Sequence, residues 1–156
     1  MTPSRLAEQR VERWLRGLGL APERFDVRRR RQGKTPDFRV HDGDGGLFLV
    51  EVKGLANPTA GHGAIALKLI RAKAQFDAVN QGGRLANVVA LVAPDPPHLA
   101  RVLVDYATLE RSPLRGLDLV VGLLDDGEPA IRVLHRAAAS RHAAYLARIL
   151  HLGEAT

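Results

Sequence analysis

The run Leu85-Ala86-Asn87-Val88-Val89-Ala90-Leu91-Val92-Ala93 constrains the fold of this chain more than any other segment. It is almost wholly apolar, rich in valine, and ends against Asp95-Pro96-Pro97. A membrane span needs roughly 18 or more apolar residues, so the run is too short for one and reads as a central strand buried on both faces. Helical patterns on either side can supply the cover. Ser4 to about Gly17 sets Leu6, Ala7, Val11, Trp14, Leu15 and Leu18 on one face at three- and four-residue spacing. About Ala64 to Asn80 does the same with Ile65, Leu69, Ala72, Phe76 and Val79, and Gln81-Gly82-Gly83 stops it. A third helix is expected over about 97–110. A terminal one is expected from Ser140 to His151, with Ala144, Leu146, Ile149 and Leu150 inward. Strands mixed with flanking helices argue an α/β sandwich around one sheet.

The remaining strands are shorter. Phe25 to Arg31 is expected to form the first, with Phe25 and Val27 inward. Residues 36–41 and 47–53 read as a hairpin folded at Asp42-Gly43-Asp44-Gly45-Gly46, a strong turn signal. Leu117 to Leu124 and Ala130 to Leu134 read as a second hairpin, turned at Asp125-Asp126-Gly127-Glu128. The order is α-β-β-β-α-β followed by α-β-β-α. With 156 residues, no internal repeat and no long linker, residues 1–156 suit one domain.

The first hairpin carries the chemistry. Side chains alternate along a strand, so Glu51 and Lys53 share one face while Val50 and Val52 take the other. A charged pair on a half-buried strand is costly without partners. A divalent metal shared with Asp37 would provide one, since two carboxylates are the hard oxygen ligands that Mg²⁺ or Mn²⁺ prefers. Such a metal polarises a phosphodiester and activates water, and a neighbouring lysine orients the water or stabilises the crowded phosphorus.

Pro36-Asp37, thirteen intervening residues and then Glu51-Val52-Lys53 resemble the motif of the PD-(D/E)xK nuclease superfamily. The resemblance implies a restriction-endonuclease-like three-layer sandwich with a mixed central sheet. Its αβββαβ core would cover about residues 4–93, and 94–156 would form an αββα extension. It also implies a divalent-metal-dependent nuclease with Asp37 and Glu51 as metal ligands and Lys53 as the water-orienting residue. Glu8, about 70° from the centre of the apolar face of the first helix, resembles the auxiliary acid of many members. The run Glu8, Val11, Leu15, Gly19 matches their local pattern, which favours Glu8 over Glu12. On the second helix Lys68, Arg71 and Gln75 form one stripe. Gln75 resembles the glutamine that sits beside the metal in such enzymes, and Lys68 and Arg71 resemble their phosphate contacts. Each of these has a plainer reading, as a solvated helix face.

Charge points the same way. The net charge is +6, and the densest basic run is Arg28-Arg29-Arg30-Arg31 followed by Lys34, just ahead of Pro36-Asp37. Arg30, Arg31 and Lys34 are therefore expected to neutralise substrate phosphate. His62, between Gly61 and Gly63 in the loop before the second helix, is a further candidate phosphate contact. His98 reads as decoration of a helix first turn, and His135, His142 and His151 as surface or filler residues. Four Phe, two Tyr and one Trp leave no aromatic stripe for stacking single strands, which favours DNA over RNA. Against this, Gly33-Lys34-Thr35-Pro36-Asp37 and the Lys68, Arg71, Gln75 spacing also resemble nuclease domains at the ends of bacterial toxins, some of which cut transfer RNA. A nuclease-like fold that binds nucleic acid without cutting is the other alternative.

There is no cysteine, hence no disulfide or zinc-thiolate chemistry. The N-terminus lacks the apolar core of a secretory signal, so a cytoplasmic protein with no membrane partner is expected. The apolar C-terminal hairpin offers a surface for a homodimer.

Overall fold

The computed structural model describes residues 3–25, 35–55, 62–80, 83–107, 116–124, 132–136 and 140–152. The elements are α1 (Pro3–Gly17), β1 (Ala21–Arg24), β2 (Phe38–His41), β3 (Leu47–Gly54), α2 (His62–Asp77), β4 (Asn87–Ala93), α3 (Pro96–Ala107), β5 (Leu119–Leu124), β6 (Arg132–Arg136) and α4 (Ala143–Ile149). Their order is the one the hydrophobic pattern predicts.

The described strands form one six-stranded mixed sheet in the order β1-β2-β3-β4-β5-β6. The first three pair antiparallel, β3-β4 and β4-β5 pair parallel, and β6 returns antiparallel to β5. The two parallel steps run in the same direction across the sheet. Right-handed crossovers then put α2 and α3 on the same face. Helices α1 and α4 fill the opposite face.

Two apolar clusters record this division. Val50 and Val52 of β3, with Val88 and Ala90 of β4, pack under Ala7, Val11, Trp14 and Leu15 of α1 and Leu146 of α4. Leu49, Val89 and Leu91 pack under Ile65, Leu69, Ala72 and Phe76 of α2 and under Leu99 and Val102 of α3. Every residue of β4 is buried, as expected for a strand with both faces covered. The chain is thus an α/β protein with helices on both sides of a mixed sheet.

Several local expectations are corrected. The first described strand is Ala21–Arg24, ahead of the expected Phe25–Arg31, of which residues 26–31 lie outside the described residues. Pro22 discourages a strand reading, yet β1 is the sheet edge, where a missing N–H can be tolerated. Phe25 is buried as expected, with the Arg39 guanidinium 5.2 Å from its ring centroid, whereas Val27 lies outside the described residues. Leu6 is exposed, and Ala144 is exposed where an inward residue was expected. His98 is buried rather than decorative, while His142 is half-buried with Nε2 3.0 Å from the Gly83 carbonyl.

The hairpin turn closes as the sequence suggests. Asp42 Oδ1 accepts the N–H groups of Asp44 at 2.8 Å and Gly46 at 2.9 Å, while Tyr145 of α4 donates its hydroxyl to Asp42 Oδ2 at 2.8 Å. Gly46 is required there, because a Cβ would collide with the Asp42 carboxylate and stand 2.9 Å from the Tyr145 oxygen. Among the described residues, no helix is long and apolar enough to cross a membrane.

Candidate active site

The site lies at the end of the β2-β3 hairpin remote from the turn. On β3 the N–H groups of alternate residues serve different neighbours. Leu49 and Leu55 donate toward β4, to Ala86 and Val92, so the Val50 and Val52 N–H groups point toward β2. Phe38 is opposite Val50, and continuing that register sets Asp37 beside Glu51 and Pro36 beside Val52. Proline has no N–H to complete the next rung. The Val52 carbonyl therefore gains no donor from Pro36, and the Val52 N–H donates to the Asp37 side chain, to Oδ2 at 2.8 Å. The Pro-Asp dipeptide thus ends the ladder and fixes a carboxylate next to Glu51.

Glu51 and Lys53 continue the face of Leu49, which is covered by α2. Glu51 is 2% exposed. Its Oε2 lies 2.9 Å from Lys53 Nζ, and its Oε1 has no hydrogen-bond partner among the described residues. Leaving such an oxygen dry costs on the order of 1–3 kcal/mol, more for a charged group, so the arrangement calls for a ligand. Gln75 of α2 holds the lysine from the other side. Lys53 Nζ donates to Gln75 Oε1 at 3.0 Å, and Gln75 Nε2 donates to the Thr35 carbonyl at 3.2 Å. One amide therefore ties the helix, Lys53 and the segment leading to Asp37 together.

Lys68 stands two helical turns from Gln75 on the stripe predicted for α2. Partial burial, then the nearby charges of Lys53 and Arg71, hold its ammonium below the usual lysine range. Lys53, Lys68 and Arg71 thus make a zone of mutually repelling cations beside a buried carboxylate. A polyanion would relieve that repulsion.

Glu8 has a different setting. It is buried in α1, on the sheet face opposite to that of Glu51, and its Oε1 is 3.1 Å from Arg24 Nη1. The other guanidinium nitrogen of Arg24 reaches Glu12 Oε2 at 3.2 Å, and the group lies 5.0 Å from the Phe38 ring centroid. Glu8 therefore helps fasten the edge strand to α1. Among the described residues no three or more His, Asp or Glu side chains gather as a metal-holding group, so Glu8, Asp37 and Glu51 do not close into a triad. Arg30, Arg31 and Lys34 lie outside the described residues. The backbone of His62 opens α2 rather than lying in the preceding loop.

Thr35 was missed by sequence reasoning. It is buried, and its Oγ1, like Glu51 Oε1, lacks a partner among the described residues. Its only signal is adjacency to Pro36-Asp37. The buried Arg10, whose Nε donates to the Leu124 carbonyl at 2.8 Å, was missed as well, since charged residues are rarely interior.

Compared with known protein families, curated proteins and solved structures, the chain matches none.

Proposed function

We propose that this chain is a divalent-metal-dependent nuclease with the restriction-endonuclease-like fold, belonging to the PD-(D/E)xK superfamily. The observation that carries the reading is Glu51: a buried carboxylate, half neutralised by Lys53, with its second oxygen unpartnered among the described residues. An orphaned acceptor beside a second carboxylate suits a hard cation, and Asp37 and Glu51 would hold it. Bound there, a divalent ion supplies Lewis-acid activation of phosphate and water. Lys53, steadied by Gln75, would orient a nucleophilic water or offset charge at phosphorus. Lys68 and Arg71 supply positive charge for the flanking phosphates. DNA is the favoured substrate, given the few aromatic residues.

The absence of a third carboxylate among the described residues favours one other reading, a module that binds nucleic acid without cutting it. Incubation with labelled duplex, single-stranded and branched DNA and with structured RNA, in Mg²⁺ or Mn²⁺ with and without EDTA, separates the two. Cleavage that EDTA stops, and that Asp37→Ala and Lys53→Ala each abolish, supports the nuclease. Binding without cleavage selects the module. Variants that cut like wild type refute the site.

A further inference from the structure

Two buried oxygens in one small region lack partners among the described residues. Thr35 is 4% exposed and its hydroxyl is unpartnered among the described residues, as is Glu51 Oε1. The two residues are joined by one chain of contacts. The Thr35 carbonyl accepts from Gln75 Nε2, Gln75 Oε1 accepts from Lys53, and Lys53 pairs with Glu51 Oε2. The orphaned atoms thus belong to the residues at the two ends of a connected polar network, two residues before Asp37 in one case and opposite Asp37 in the other. Buried hydroxyls nearly always find a partner, and an unsatisfied one in a native fold calls for an explanation.

We infer that Thr35 is a further binding residue of this site, its hydroxyl holding a water of the hydrated divalent cation that Asp37 and Glu51 carry; the inference rests on the metal reading above. The chemistry selects this ligand over an anion. Glu51 Oε1 can only accept hydrogen bonds, and a phosphate oxygen placed beside it would be repelled. A hydroxyl can both donate and accept. A cation that keeps part of its water shell presents charge to the carboxylates and water to the hydroxyl, and Mg²⁺ does so because it dehydrates reluctantly. Groups that hold a metal's outer contacts matter to affinity almost as directly as the ligands.

The test is Mn²⁺ binding by calorimetry on the full chain, with melting of the metal-free protein in parallel. Thr35→Val keeps the shape and deletes the hydroxyl. Its Mn²⁺ affinity is expected to fall roughly tenfold. Its metal-free melting temperature is expected to stay level or rise, since a dry hydroxyl has been removed. Thr35→Ser should restore the affinity. A Thr35→Val protein that binds Mn²⁺ as wild type does, or whose metal-free form melts lower, overturns the inference, because the hydroxyl is then idle or structural. Wild-type protein that binds no Mn²⁺ removes the metal reading itself. Wild-type binding with an unaffected Thr35→Val protein removes only the role of Thr35.

Discussion

The two ends of one hairpin carry carboxylates in opposite circumstances. At the turn, Asp42 accepts two backbone N–H groups and the Tyr145 hydroxyl, and these contacts hold its carboxyl below the usual range. At the far end, Glu51 is nearly inaccessible, has one cationic partner, and keeps an oxygen with no partner among the described residues. The half-buried carboxylate at the turn is satisfied by its own fold. The buried one is left short where desolvation is most costly. Unsatisfied polarity inside a native structure calls for an explanation, and the proposed metal site supplies one at the open end while the turn needs none.

The contrast can be attacked most forcefully at Lys53. Lys53→Met should leave Glu51 buried without a counter-charge and cost about 3–5 kcal/mol in urea unfolding of the metal-free protein. Millimolar Mn²⁺ should return much of the loss. If the variant is as stable as wild type, the ion pair contributes nothing and the site is more open to water than its burial indicates.

A smaller effect separates the two jobs of Asp37. Asp37→Ala orphans the Val52 N–H and should cost about 1–3 kcal/mol. Asp37→Asn keeps an acceptor and most of the stability, yet should still lose divalent-ion binding. Equal metal affinity in Asp37→Asn and wild type would make Asp37 a structural residue alone.

At the satisfied end the effect should be slight. Tyr145→Phe removes one partly exposed hydrogen bond and should lower stability by less than about 1 kcal/mol. It should not touch metal binding. Burial and the Asp42 bond push the Tyr145 hydroxyl up to about 12. Its folded form holds the proton more tightly, so this contribution is intact below the ordinary tyrosine value and is lost as pH rises toward about 12. Lys68 slopes the other way. Its folded form binds the proton less tightly than the unfolded chain, so stability increases as pH rises toward the ordinary lysine range. Lys68→Gln should flatten that rise in a pH series of unfolding measurements. Added nucleic acid should restore the lysine's proton affinity.

The architecture was legible because its signals are local and periodic. The apolar run ending at Ala93 could only be a doubly covered strand, and Asp42 to Gly46 could only turn. The facing of Glu51 and Lys53 followed from the two-residue period, and the stripe Lys68, Arg71, Gln75 from the helical one. The edge strand Ala21–Arg24 was missed because Pro22 suppresses the strand signal, which fails only where a ladder bond is not needed. The surroundings of Glu8 were hidden for a different reason. Helical spacing gives its angle on α1 but not the sheet face α1 will cover, and Arg24 takes its carboxylate from a strand that the pattern had not located. Thr35 carries no periodic signal at all. Its contact in the fold comes from Gln75, forty residues away, whose amide donates to its carbonyl.

Melting the full chain against Mg²⁺ and Mn²⁺ tests the assignment of Glu51 most directly. A cation held by the native site alone raises stability by about 2.7 kcal/mol at a hundredfold excess over its dissociation constant. The account predicts a melting temperature that climbs with either ion in wild type and stays flat in Glu51→Gln. A flat response in wild type, or an equal climb in the variant, would contradict it.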